Sequence, residues 1–257
     1  MRITTWNVNG LRAILKKNFL ADLDTLNSDI LCLQEIKGRP EQLEPESLQT
    51  IQNRYTELAW NPAQRPGYSG VSTWARIKPD ELTCSLGIED FDNQGRMIAS
   101  RYGDLWLFNI YFPNGGYDQS RVPYKLEFYA CVLELVDRLQ AQGQFVVITG
   151  DFNISHQEID LAHPKANENA TGFLPEERAW IDRYLSHGLV DGFRQLYPDK
   201  VEYTWWAYFT KSRERNVGWR LDYYLVSAAL MPRVVDVINH TSFLGSDHCP
   251  VTLVLKD

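Results

Sequence analysis

Apolar residues recur along this chain with two periods, and the polar residues that interrupt them cluster where the runs end. Residues 2–9 form a β-like run that closes on two amides, Asn7 and Asn9, and Asp29-Ile30-Leu31-Cys32-Leu33-Gln34-Glu35 is nearly unbroken and closes on an acid. Both read as strands. Between them Leu11, Leu15, Phe19, Leu20, Leu23 and Leu26 keep helical spacing, which predicts one helix from Leu11 to Leu26. Further strands are expected at 55–60, 70–77, 82–88, 97–102 and 105–112, the last two joined through a Gly103-Asp104 turn. Tyr124, Phe128, Cys131, Val132, Leu135 and Leu139 mark one side of a helix from Arg121 to Gln142, stopped by Gly143. A strand at 145–152, a helix from Pro175 to His187, and strands at 203–208, 221–226 and 251–255 complete the pattern. No repeat, low-complexity segment or Pro/Ser/Gly-rich linker divides the chain, so residues 1–257 are expected to form one α/β domain. Two sheets packed face to face and covered by helices would accommodate this order.

The strand ends carry the chemistry. Val146-Val147-Ile148-Thr149-Gly150-Asp151-Phe152-Asn153, Trp219-Arg220-Leu221-Asp222-Tyr223 and Gly245-Ser246-Asp247-His248-Cys249-Pro250 each put Asp, Asn or His where an apolar run stops or begins. A single acid after a strand is most often a turn former or helix cap. Asn7 and Asn9, Glu35, Asp151 and Asn153, Asp222, and Asp247 with His248 repeat the arrangement too often for that explanation. Acids at the rim of a sheet can offer hard oxygen ligands and proton acceptors to a substrate without being buried. The set reads as an active site.

At 257 residues and 44% hydrophobic content the chain can bury a large core. Its first residues lack a signal-peptide stretch and no apolar segment approaches bilayer length, so a cytoplasmic location and no membrane partner are expected. Cys32, Cys84, Cys131 and Cys249 show no metal spacing and read as reduced packing residues. His163, His187 and His240 likewise lack ligand spacing. Gly67-Tyr68-Ser69-Gly70 is followed by no Gly-Lys-Ser/Thr and reads as a turn leading into a strand. A net charge of −7 argues at first against a nucleic acid partner. Yet Lys211, Arg213, Arg215 and Arg220 face only Glu214 between Tyr203 and Arg220, a local balance of +3. Trp205, Trp206, Tyr208, Phe209 and Trp219 are interleaved with them. Cations beside rings can hold phosphates while a base or sugar packs on a ring; the alternative is a solvated loop with a few core aromatics.

Taken in order, Thr5-Trp6-Asn7-Val8-Asn9-Gly10-Leu11-Arg12, Leu33-Gln34-Glu35, Asn109-Ile110-Tyr111-Phe112-Pro113-Asn114-Gly115, Gly150-Asp151-Phe152-Asn153, Gly172-Phe173-Leu174-Pro175-Glu176-Glu177-Arg178, Asn216-Val217-Gly218-Trp219-Arg220-Leu221-Asp222-Tyr223 and Ser246-Asp247-His248 cover essentially the whole chain. On these segments it resembles the exonuclease III family of apurinic/apyrimidinic (AP) endonucleases, within the endonuclease/exonuclease/phosphatase superfamily of DNase I-like nucleases. The resemblance implies a four-layer α-β-β-α sandwich and Mg²⁺-dependent hydrolysis of the DNA phosphodiester 5′ of an abasic site, with Mn²⁺ able to substitute. It also implies action on double-stranded DNA with abasic or 3′-blocked sites, 3′→5′ exonuclease and 3′-phosphatase or phosphodiesterase activity, a place in base excision repair, and a monomer.

Residue by residue, the resemblance makes Glu35 the principal Mg²⁺ ligand, helped by Asn9 and Asp247, with Asn7 hydrogen-bonding the metal-binding carboxylate. Relatives often carry Asp at the position of Asn9, so one negative ligand is absent here. Asp151 would take the proton of the attacking water, Asn153 would orient that water, and His248, held by Asp222, would donate to a non-bridging oxygen. Tyr111 and Asn114 would contact phosphate, with Arg220 also assigned to the substrate. Trp205, Trp219 and Leu221 match the walls of a pocket for an extrahelical abasic sugar. Phe209, and more loosely Tyr117, sit where relatives wedge side chains into the duplex, and His156 and Asn167 lie near the DNA. Two other readings compete. A nucleic-acid-binding regulator that had lost the metal site would lack Glu35, Asp151 or the Asp247-His248 pair, all of which are present. A phosphoinositide or sphingomyelin phosphoesterase would not call for the tryptophan pocket.

Overall fold

The computed structural model describes residues 1–256, apart from the side chain of Phe209. Its strands are β1 (Arg2–Asn7), β2 (Ile30–Gln34), β3 (Glu57–Asn61), β4 (Val71–Ala75), β5 (Glu81–Thr83), β6 (Met97–Tyr102), β7 (Leu105–Tyr111), β8 (Phe145–Asp151), β9 (Leu189–Asp191), β10 (Asp222–Ser227), β11 (Val234–Asn239) and β12 (Val251–Leu255). The α-helices are α1 (Leu11–Ile14), α2 (Phe19–Leu26), α3 (Pro45–Gln52), α4 (Glu89–Asp92), α5 (Val122–Ala141), α6 (Pro164–Asn167), α7 (Pro175–Ser186) and α8 (Gly192–Leu196). The strands form two six-stranded sheets, ordered β11-β12-β1-β2-β4-β3 and β5-β6-β7-β8-β10-β9. Each sheet has one parallel pair near its middle, β1 with β2 and β7 with β8, and antiparallel pairs elsewhere. A parallel pair needs a crossover: α1 and α2 supply one and α5 the other.

Three apolar clusters glue the expected four layers together. Ile3, Ile30, Cys32, Leu107, Val147 and Val226 meet between the sheets. Trp6, Leu31, Leu33 and Trp74 on the outer face of the first sheet pack with Phe19, Leu23 and Ile51 of the helices. Phe108, Ile110, Val146 and Ile148 on the outer face of the second meet Phe128, Val132, Ile181 and Tyr184.

The face turned toward the other sheet explains where the site lies. Alternate side chains of a strand share a face, so Ile3-Thr5-Asn7, Ile30-Cys32-Gln34, Leu105-Leu107-Asn109-Tyr111 and Val147-Thr149-Asp151 run from apolar to polar toward the carboxyl ends of the two parallel pairs. Midway, the Gln34 amide donates to Thr5 Oγ1 at 2.8 Å and Asn109 Oδ1 at 2.7 Å, stitching the sheets by hydrogen bonds where the apolar filling ends. Beyond that layer the same face presents Asn7, Tyr111 and Asp151, and β10 runs antiparallel to β8 so that Asp222 lies directly opposite Asp151. Gly150 is required here: its φ is +129°, and a Cβ would lie 1.9 Å from the Ile110 carbonyl oxygen of the neighbouring strand.

Several expected elements differ. The Leu11 to Leu26 helix is two helices broken at 15–18, because its first turn belongs to a loop tied by Gly10 and Leu11 amides to the carbonyls of Glu35 and Ile36. The strand expected at 82–88 ends at Thr83, where the Asp92 carboxylate accepts from the amides of Leu86 and Gly87 and folds the chain into a loop. The segment 203–208 is not a strand; Trp205 makes only single bridges, to Trp219 and His248, and its ring turns to the site. The short α3, β9, α8 and β11 carried too little periodicity to be expected. Among the described residues no helix is long and apolar enough to cross a membrane, and all four cysteines are unpaired.

Candidate active site

Asn7 closes β1 with its amide nitrogen donating to both Glu35 Oε1 and Asp151 Oδ2, each at 2.9 Å, so one buried side chain joins the carboxylates of the two sheets. Asn9 donates through Nδ2 to Asp247 Oδ1 at 2.9 Å. The Lys37 ammonium lies 2.8 Å from Glu35 Oε2 and 2.6 Å from Asn9 Oδ1. A cationic group thus already rests among these oxygens, and the donor set of two carboxylates and an amide oxygen suits a hard divalent cation. Asn9, Glu35 and Asn153 all have φ between 45° and 52°. Such left-handed non-glycine backbone costs free energy and persists where the surroundings enforce it, as at functional sites.

Across the mouth, His248 is bracketed by acids. Its Nδ1 lies 2.9 Å from Asp222 Oδ2, and its Nε2 3.7 Å from Asp151 Oδ2. Burial by itself would lower the His248 pKa, but the Asp222 and Asp151 carboxylates override it and raise it to about 10, so the ring is an imidazolium at neutral pH. Burial pushes Asp151 up to about 7, with the His248 charge opposing and the charges of Asp222 and Glu35 reinforcing the rise. A carboxyl poised near neutrality is matched to proton transfer. Donor atoms of Asp151, Asp222 and His248 lie within 4.8 Å of one another. Both ring nitrogens there face carboxylates, whereas metal ligation needs an unprotonated nitrogen, so the oxygens around Glu35 form the better cation site. Asp247 is held below the usual carboxylate range: burial opposes this, and the His248 charge with hydrogen bonds from Trp205 and Asn9 prevails. Burial, then the neighbouring Glu35 and Asp151 charges, raise the Tyr111 phenol well above its ordinary value and keep it a neutral donor.

Glu35, Tyr111, Asp151, Asn153, Asp247 and His248 border a cavity of about 380 Å³ whose other walls are Asn114, Thr171, Gly172, Trp205, Trp219 and Leu221. Trp205 and Trp219 meet edge to face with centroids 6.4 Å apart, and Trp205 Nε1 donates to Asp247 Oδ2 at 3.0 Å. The apolar wall therefore also fixes a carboxylate. Asn153 donates from its backbone to Asp151 Oδ1 at 2.9 Å and accepts at Oδ1 from the Asn114 amide at 3.1 Å.

A site of this construction has a counterpart among known proteins, since the model of the Endonuclease/Exonuclease/phosphatase family matches residues 4–248. The chain belongs to that family. The Bacillus subtilis (strain 168) exodeoxyribonuclease is 38% identical over 258 residues, spanning all of both chains. Among solved structures, the AP endonuclease LMAP from Leishmania major matches with a TM-score of 0.89 at 30% identity, covering 100% of this chain and 87% of that one. A 3′ phosphatase, NExo, from Neisseria bound to a product DNA hairpin matches with a TM-score of 0.89 at 30% identity over 100% of both chains. Within its family this protein is a hydrolytic nuclease of the exonuclease III type.

The nuclease brings Asn7, Asn9, Glu35, Tyr111, Asn114, Asp151, Asn153, Trp205, Trp219, Leu221, Asp222, Asp247 and His248 to one end of the sandwich. Arg220 does not join them. It is 1% exposed, its guanidinium bound to Asp160 at 2.8 Å and to Asp191 at 2.7 Å, so it holds α8 and the loop before α6 rather than a substrate. Of the basic stretch, Arg213 is spent in the same way, lying over the Trp206 ring at 4.5 Å and donating to the carbonyls of Thr241, Phe243 and Ser246, whereas Lys211 and Arg215 are exposed. The side chain of Phe209 lies outside the described residues, Tyr117 is fully exposed, and His156 is buried against Asp182. Sequence reasoning passed over Lys37, whose only signal is its place two residues after Glu35. It also passed over Arg96, which is buried, donates to the Tyr111 carbonyl at 3.0 Å and stacks 4.9 Å from that ring. Nothing local in the sequence announces that contact.

Proposed function

We propose that this protein is a DNA repair nuclease of base excision repair that uses Mg²⁺ to hydrolyse the phosphodiester 5′ of abasic sites in double-stranded DNA and also trims blocked 3′ ends. The observation that carries this reading is the meeting, at one small cavity walled by Trp205, Trp219 and Leu221, of the buried Asp151 carboxyl with His248 3.7 Å away on Asp222, beside a separate set of oxygen ligands around Glu35. The exodeoxyribonuclease, AP endonuclease and 3′ phosphatase among its relatives support the same chemistry.

In this reading Glu35, Asn9 and Asp247 hold the metal, and Asn7 steadies Glu35 through its 2.9 Å hydrogen bond. When bound, Mg²⁺, or Mn²⁺ in its place, supplies positive charge to the phosphate and to the leaving 3′ oxygen. Asp151 accepts the proton of the attacking water, and Asn153, tethered to it at 2.9 Å, orients that water. His248, held by Asp222 at 2.9 Å, donates to a non-bridging oxygen as negative charge grows there. Tyr111 and Asn114 add neutral donors. Trp205, Trp219 and Leu221 accept a sugar that has left the stack, which costs least where no base is present. The enzyme acts as a monomer in the cytoplasm. The test is a set of matched duplexes carrying an abasic analogue, a recessed 3′ end, a 3′-phosphate or deoxyuridine, with and without Mg²⁺. Mg²⁺-dependent cleavage 5′ of the abasic analogue supports the reading, and its absence overturns it.

A further inference from the structure

Lys125 of α5 and Glu177 of α7 form an ion pair 2.6 Å long, and neither side chain has any exposure. Neither touches the reacting groups. Lys125 Nζ also donates to the backbone oxygen of Asn153 at 2.7 Å. Glu177 accepts from the amides of Gly172 and Leu174 and from the Thr171 hydroxyl, three donors of the segment that walls the cavity. That wall is seated directly on the chemistry. Gly172 has φ +91°, and a Cβ there would lie 3.1 Å from the Asn153 carbonyl oxygen and 3.3 Å from the Trp219 ring.

A buried ion pair is weak evidence of stabilisation, because well-packed apolar residues often replace one at no loss. Here they would leave the Asn153 oxygen and the Gly172 and Leu174 amides without these partners inside the protein, where an unmet polar group is costly. The pair therefore does what an apolar filling could not: it fixes both sides of one junction. Asn153 sits at a φ of 52°, a backbone that its surroundings must enforce.

Resting on the functional reading above, we infer that Lys125 and Glu177 are positioning residues, a buried clamp that sets the water-orienting Asn153 and the Thr171 to Leu174 wall of the lesion pocket as one unit. Selectivity for the lesion and the rate of hydrolysis are then coupled through it. A displacement of about 1 Å in such a group can cost about 100-fold in rate, so a clamp remote from the phosphate can still govern turnover.

The test compares wild type with the double variant Lys125→Met/Glu177→Gln, which keeps both shapes and leaves no lone buried charge. Four quantities are read: the melting temperature, kcat and KM on an abasic-analogue duplex, the same on a 3′-phosphate duplex, and the affinity for abasic-analogue against undamaged duplex in excess chelator. The expected result is a folded protein with unchanged affinity for undamaged DNA and kcat reduced about 10-fold or more on both substrates. Its binding preference for the abasic duplex should also fall about 10-fold. A folded variant that is less stable but keeps wild-type kcat per molecule and wild-type preference would make the pair a core filler and overturn the clamp. If the double variant does not fold, Glu177→Asp, which keeps the charge pair but shortens its reach to the Gly172 and Leu174 amides, is measured in the same way, with reduced abasic preference expected and unchanged preference overturning the inference. Wild-type protein inactive on both duplexes would instead overturn the functional reading, and the clamp's role with it.

Discussion

Asp151→Asn keeps the shape of the side chain and removes its ability to take a proton, which makes it the sharpest single perturbation of the site. In the native site Asp151 Oδ1 accepts from the Asn153 amide at 2.9 Å, and Oδ2 accepts from Asn7 at 2.9 Å. Either orientation of an asparagine amide therefore points an NH₂ at an existing donor, costing about 1–3 kcal/mol unless the neighbours move. The larger effect is on catalysis. Loss of a positioned base removes a factor of about 10²–10⁴ from kcat, or about 2.7–5.4 kcal/mol at 1.36 kcal/mol per decade. His248 should report the change independently, because the Asp151 charge is the second of the carboxylates that hold its pKa at about 10. A group whose folded pKa is raised stabilises the fold fully below its ordinary value of 6.5 and loses that contribution as pH rises through about 10. With the Asp151 charge gone, both the alkaline limb of activity and this loss of stability should move to lower pH. Single-turnover cleavage of an abasic-analogue duplex across pH, with parallel melting curves, measures both. A change in KM alone, or a residual alkaline limb at its wild-type position, would refute the assignment of the base and its coupling to His248.

Glu35→Ala should abolish most activity at low Mg²⁺ and recover partly at high Mg²⁺, with the fold intact, because the side chain is needed for metal binding; wild-type metal affinity in the variant, measured by calorimetry, would exclude it as a ligand. Trp219→Ala should lower abasic selectivity by about 1–3 kcal/mol while 3′-phosphate hydrolysis suffers less. That comparison requires melting controls, since losing a large packed ring can cost about 3–5 kcal/mol, and equal loss on both substrates would mean the pocket wall lies elsewhere. Arg220→Met should destabilise the fold by about 3–5 kcal/mol, because the buried Asp191 carboxylate loses its ion pair and Asp160 keeps only Arg194. The salt dependence of DNA binding should not change, and a shallower salt slope with unchanged denaturant stability would restore Arg220 as a phosphate contact.

The central strands were legible because their two faces bury different things. A buried run such as Val146 to Thr149 ending in Gly150-Asp151 declares both a strand and a functional rim, and the same logic found Glu35, Asp222 and His248. The helix α5 announced itself through its apolar side and its glycine stop. What stayed hidden depends on partners distant in sequence. The 203–208 segment has the aromatic content of a strand, yet Trp205 is held by Asp247, 42 residues away. Arg220 reads as a surface cation from its basic neighbours, and only the fold reveals the two acids beneath it. Lys125 and Glu177 lie 52 positions apart in unremarkable helical sequence and become a pair only when α5 and α7 pack side by side.

The most direct measurement of the account is cleavage of an abasic-analogue duplex in ¹⁸O-enriched water, with the products weighed by mass spectrometry. Hydrolysis by a water delivered from Asp151 predicts a 3′-hydroxyl on the upstream fragment, one ¹⁸O in the 5′-phosphate of the downstream fragment, and no reaction in excess chelator. An unlabelled phosphate, an unsaturated sugar left on the upstream 3′ end, or undiminished cleavage in chelator would contradict it.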